Sequence, residues 1–189
     1  MYIPDLASAL PYIIHQAFEN DWGAYARAAF AANSAISRVL ARGMSFSVLC
    51  AEDVPFISAE DIRREAGTDL GSFLIPIYQG ACATWPRGKV SDDFFAPVKS
   101  DVPVLMISGA QDPATPPANA EVVARSLPHS KLVVIDQGTH MTSSPCIDAM
   151  ITQFVAEPGA SLDTACVAQI RRPPFLTPDR INAPAKGQP

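Results

Sequence analysis

Two short apolar runs constrain the fold of this chain more than any other feature. Val102–Ile107 and Leu132–Ile135 are rich in β-branched and apolar residues without polar alternation, the pattern of strands covered on both faces. Between them Pro116-Pro117 opens a helix expected over 118–127, with Val122, Val123 and Leu127 on one side. A strand, a crossover helix and a second strand form a parallel βαβ unit. Such a unit needs helices on both faces and more strands alongside, since two strands alone leave two unpaired apolar edges. The expectation is an α/β sheet whose other strands are missing from this chain or come from another one.

Each run ends at a polar side chain. Gly109 allows a sharp exit from the first strand and is followed by Asp112; Gly138 does the same before His140. Loops after adjacent parallel strands share the carboxyl edge of the sheet, where sites in α/β folds gather. An acid there can fix the tautomer of a histidine whose other ring nitrogen takes a proton from a nucleophile. Asp before Pro is also an ordinary turn residue, and a lone loop histidine carries little weight alone. Order and strand context together favour the second half of a Ser, Asp, His triad. His15 lies in a helical stretch and His129 follows Pro128 in a polar turn, so neither competes.

The nucleophile is not evident. A serine elbow reads G-x-S-x-G on a strained turn between a strand and a helix. The nearest approach, Gly43-Met-Ser45-Phe-Ser47, lacks the closing glycine and has the opposite context; Ser108 reads as a strand-end residue.

The first hundred residues read as helical. Leu6, Leu10, Ile13, Ile14, Ala17 and Phe18 recur at helical spacing, as do Tyr25, Ala28, Ala29, Ala32, Ile36, Val39 and Leu40 before Gly43. Phe46–Cys50 is expected to be extended, Ser58-Ala-Glu-Asp61 is a capping box opening a helix to about Ala66, and Phe73–Tyr78 is apolar. Helices are expected over about 147–155 and 162–170, then a Pro-rich tail without fixed structure. The domain expectation is a helical cap or lid over 1–98, a carboxy-terminal α/β core segment over 99–171, and the tail over 172–189.

Composition excludes several classes. With a net charge of −5 and scattered basic residues, the chain of 189 residues is not expected to bind nucleic acid. No apolar run approaches the ~18 to 20 residues of a membrane span, and the opening residues lack the basic-then-apolar pattern of a signal peptide. Cys50, Cys82, Cys146 and Cys166 show no zinc spacing, so disulfides compete with buried thiols, and no metal or organic cofactor is expected. Glu52-Asp53 could hold a substrate ammonium or be a solvated loop pair. Trp85 and Phe94-Phe95 read as pocket lining or core.

The segments Pro103–Pro117, Gly138-Thr-His140, Cys146, Leu162-Asp163, Cys166 and Arg172-Pro-Pro-Phe175 resemble the carboxy-terminal region of tripeptidyl-aminopeptidase-like serine peptidases, in the proline-iminopeptidase group of α/β-hydrolases. Gly43–Asp53 and Cys82-Ala-Thr-Trp-Pro86 look like the end of that group's cap. The resemblance spans about residues 1–175. It implies a partial α/β-hydrolase fold, with a helical cap segment followed by the last two parallel strands and their helices. Asp112 becomes the triad acid, His140 the base, and Glu52 a candidate for a peptide's free amino group. It favours a Cys146–Cys166 bridge and leaves Cys50–Cys82 as the simplest remainder of three connectivities. Thr139 stands where relatives often have glycine.

The group's early strands, oxyanion loop and serine elbow have no counterpart in this sequence. The functional expectation is therefore the carboxy-terminal portion of an aminopeptidase-like serine hydrolase, inactive alone, acting on peptide or small ester or amide substrates. The alternatives are a non-catalytic remnant or interaction module, or one half of a split hydrolase. Full-length relatives are expected to be secreted or periplasmic.

Overall fold

The computed structural model describes residues 2–68 and 73–178. The described chain runs α1 (Pro4–Phe18), α2 (Gly23–Val39), α3 (Arg42–Glu52), α4 (Ala59–Ala66), α5 (Leu74–Cys82), β1 (Val104–Gly109), α6 (Pro117–Ala124), β2 (Ser130–Ile135) and α7 (Pro145–Ala156). Short 3₁₀ turns follow α3 at Val54–Phe56 and α7 at Ala165–Gln169. Residues 162–170, expected as a helix, thus form only that second turn.

Two compact units share the chain, residues 1–28 with 97–189 and residues 29–96. One boundary between the units falls inside α2, between residues 28 and 29, and the other between residues 96 and 97. Amphipathic spacing says that α1 buries a face but not against which core.

In the first unit β1 and β2 pair in parallel, from Val104 opposite Ser130 to Gly109 opposite Ile135. That register puts Leu105, Ile107, Val133 and Ile135 on one face, where they pack with Ile147 and Met150 of α7 and with Val167 and Ile170. The other face is thinly covered: Val134 is 40% exposed, and Val122 and Val123 of α6 also face outward. The strands are therefore half-buried, short of the full cover that their composition suits. Among the described residues the sheet has two strands.

Helix α1 ends where Asn20 takes a left-handed conformation with φ 63°, and the Asp21 N–H returns to the Gln16 carbonyl at 2.8 Å. The segment after Arg172, expected as free tail, is fastened at its start. The Arg172 N–H donates to Gln137 Oε1 at 3.2 Å, its guanidinium lies 4.0 Å from the Phe175 ring centroid, and the Leu176 N–H donates to the Ser8 carbonyl at 3.0 Å. Residues 179–189 lie outside the described residues.

The second unit is knit around Cys50–Cys82, with Cα atoms 5.1 Å apart. Phe46, Val54, Ile57, Tyr78 and Trp85 surround the bridge. Phe46–Cys50 is helical, against the extended reading. One helical turn brings Phe46 and Cys50 to the same side, toward the bridge and its aromatic neighbours, and this contact outweighs weak local preference. Ser58 and Asp61 form the expected capping box on α4, and these bonds, led by the Ser58 hydroxyl, lower the Asp61 carboxyl to about 2. Trp85 packs with Phe46 as core, its indole N–H donating to Ser47 Oγ at 3.2 Å. Phe95 stacks edgewise on Phe56 and Phe94 at the surface.

Candidate active site

Two glycines bring the strand exits into contact. A Cβ at Gly109 would lie 2.6 Å from the Gly138 carbonyl carbon and oxygen, and one at Gly138 would lie 2.9 Å from Ile135 Cβ. The need for glycine is therefore close approach, of the Gly138 backbone at Gly109 and chiefly of the Ile135 side chain at Gly138, a different cause from the sharp exits expected from sequence. The crossing is held by the Ala110 N–H to the Ile135 carbonyl and the Gln111 N–H to the Gly138 carbonyl, both at 2.9 Å.

That contact carries Asp112 and His140, 28 residues apart in sequence, into hydrogen-bond range: Asp112 Oδ2 lies 2.9 Å from His140 Nδ1. The carboxylate is saturated by its own loop. Oδ1 accepts from the Ala114 N–H at 2.8 Å and the Thr115 N–H at 3.0 Å, and Oδ2 accepts from the Thr115 hydroxyl at 2.7 Å. Pro113 has no N–H and fixes its own φ, so the turn presents these donors without a competitor.

The Asp112 side chain is 5% exposed and that of His140 34%. Burial alone pushes the Asp112 carboxyl up, but the Thr115 N–H and hydroxyl, the Ala114 N–H and His140 together outweigh it and hold the group well below the usual carboxylate range. An ionised carboxylate only accepts, so Nδ1 supplies the proton of the shared bond. Nε2 then has its lone pair free, and no described residue engages it. Chemically, this is an oriented base with an accessible nitrogen.

The loop bearing His140 is fastened from an unexpected direction. The Tyr2 carbonyl accepts from the Thr139 hydroxyl at 3.1 Å and from the Met141 N–H at 3.0 Å. The Tyr2 ring meets the imidazole edgewise, with centroids 4.7 Å apart. Thr139 is buried, and the Tyr2 carbonyl is the partner of its hydroxyl. Nothing in the sequence linked residues 2 and 140. Thr115 was also overlooked, although Asp followed three residues later by Thr in a proline-flanked turn is a readable signal.

The other candidates lie on other elements. Glu52 and Asp53 sit at the carboxyl end of α3 in the second unit, Glu52 half-buried, and neither forms an ion pair among the described residues. Ser45 lies within the first turn of α3, which is no strand-to-helix elbow. The second cystine, Cys146–Cys166, ties the start of α7 to the 3₁₀ turn after it, with Cα atoms 5.8 Å apart. Among the described residues no group of three or more His, Cys, Asp or Glu side chains could hold a metal ion, and no helix is long and apolar enough to cross a membrane.

A family model described as TAP-like protein (Abhydrolase_4) matches residues 70–166, a span that contains both strands, Asp112, His140 and three of the four cysteines. Comparison with curated proteins and with solved structures found no match.

Proposed function

This chain belongs to the TAP-like family of α/β-hydrolases, and from that premise we propose that it supplies the acid, Asp112, and the base, His140, of a serine hydrolase of aminopeptidase type. The observation that carries the reading is the 2.9 Å bond between Asp112 Oδ2 and His140 Nδ1 at the carboxyl ends of adjacent parallel strands, with Nε2 open. In the proposed reaction Nε2 takes the proton of a serine hydroxyl as the oxygen attacks the substrate carbonyl, and returns it to the leaving amine. Asp112 stays ionised and stabilises the imidazolium formed between those steps.

The serine and the oxyanion donors come from an amino-terminal half outside this sequence, because no G-x-S-x-G occurs in it. The thinly covered face and two-stranded sheet support such a complement. Glu52 is the candidate ligand for the free amino group of a peptide substrate. Two cystines suit an oxidising compartment.

The test is hydrolysis of aminoacyl chromogenic amides. The chain alone is expected to be inactive, and co-expression with an upstream-encoded segment bearing the serine elbow is expected to restore turnover. In that assembly His140→Ala or Asp112→Asn should lower kcat by about 10⁴. Turnover by the chain alone that disappears on His140→Ala would overturn the need for a second half. An assembled pair without turnover would favour a non-catalytic interaction module.

A further inference from the structure

We propose that Thr115 is a positioning residue of the acid and base, its hydroxyl holding the His140 imidazole in the tautomer that leaves Nε2 free. The inference takes its functional meaning from the hydrolase reading, but its geometry is independent of it. Three polar atoms form a closed triangle: Asp112 Oδ2 to Thr115 Oγ1 is 2.7 Å, Asp112 Oδ2 to His140 Nδ1 is 2.9 Å, and Thr115 Oγ1 to His140 Nδ1 is 3.3 Å.

A hydroxyl has one proton to give and lone pairs to offer. The shortest side of the triangle sends that proton to the carboxylate, the stronger acceptor because it is charged. The Thr115 oxygen then faces Nδ1 with lone pairs, so a proton on Nδ1 meets two acceptors. For the opposite tautomer, with the proton on Nε2, Nδ1 becomes an acceptor facing an acceptor-only carboxylate. The hydroxyl could relieve this only by giving up its bond to Asp112. Asp112 alone thus favours the Nδ1–H tautomer, and the Thr115 oxygen adds to that preference as a second, more distant acceptor at 3.3 Å.

The surrounding chain makes the arrangement stiff. Thr115 is β-branched, its own N–H donates to Asp112 Oδ1 at 3.0 Å, and prolines at 113 and 116 restrict the backbone around it. Thr115 is also exposed, so exchanging its hydroxyl for a methyl removes no core contact.

The experiment reads the imidazole itself. In the ¹⁵N-labelled full chain, two-bond ¹⁵N–¹H couplings of the histidine rings, assigned with His140→Ala, report the tautomer ratio well above the ordinary imidazole value of about 6.5. The wild type and Thr115→Ser should both hold the Nδ1–H tautomer. Thr115→Val and Thr115→Ala keep the Asp112 bond but lose the second acceptor, and should shift the ratio toward Nε2–H by roughly twofold, the low end of the worth of one hydrogen bond. Unchanged ratios in Val and Ala overturn the proposal, and so does a Ser variant that loses the preference while keeping the hydroxyl. Substrate turnover plays no part in this measurement, so a failed hydrolase reading and a failed role for Thr115 give different results.

Discussion

In the unit of residues 29–96 the Cys50–Cys82 cystine is itself the centre of the core, its residues 0% and 4% exposed, with Val54 the other buried member of the cluster. In the other unit Cys146–Cys166 is half-buried at the margin of a core built on Val133, Ile135, Ile147 and Met150. The contrast shows two ways to hold a short run of chain. Where a hydrogen-bonded strand pair supplies apolar side chains to one face, a cystine trims the periphery; where short helices supply few, it replaces the missing interior.

Removing each bridge is the strongest way to break that comparison. The bridges join residues 32 and 20 apart, so loop closure alone makes them similar in worth, about 3 to 4 kcal/mol each. Their burial makes the outcomes differ. Cys50→Ala with Cys82→Ala should abolish amide hydrogen-exchange protection throughout α3 and α5. Cys146→Ala with Cys166→Ala should lower stability yet leave the β1 and β2 amides protected. Equal loss of protection in both units would show that the strand pair depends on its cystine as much as the helices do.

A smaller effect probes how the first unit seats its polar pair. Gly109→Ala should cost about 1 to 3 kcal/mol, because the added methyl carbon meets the Gly138 carbonyl at 2.6 Å and backbone must yield. The separation of the strand exits should also release the His140 ring from its single tautomer. Full stability with an unchanged imidazole spectrum would show that the glycine contact does not set the spacing.

The mildest effect comes with acid. Asp112 and Asp61 both have folded values below the ordinary carboxyl value near 3.9, Asp61 at about 2. Each therefore contributes stability that is present above about pH 4 and lost as pH falls through the folded value. Thermal midpoints should be flat from neutrality to about pH 4 and decline below it. Asp112→Asn should flatten the decline in the first unit, and Asp61→Asn in the second. A midpoint that rises on acidification would contradict both assignments.

These contrasts follow what the sequence could express. The βαβ unit was legible because apolar runs, a proline-opened helix and polar residues at strand ends are local patterns. The capping box at Ser58 was legible for the same reason. Helix α3 was not, since Phe-Ser-Val-Leu-Cys fits either period and only the partner at Cys82 decides. The grouping of α1 with the carboxy-terminal residues was hidden likewise, because spacing fixes a face but not its partner. Order and context singled out Asp112 and His140, which the structure places within hydrogen-bond range of each other, whereas Tyr2 acts through a backbone carbonyl that any residue could supply. The two cystine pairings came from resemblance; four cysteines by themselves leave three pairings equal.

The single crossover between β1 and β2 has a consequence for inheritance. Asp112 and His140 sit on one uninterrupted stretch of about forty residues that begins with β1, with the helix between them serving as both spacer and guarantee of parallel direction. Duplication, fusion or transfer of that stretch moves both side chains together and in register. A lineage can therefore exchange what lies opposite Nε2 while the hydrogen-bonded pair travels as a single cassette.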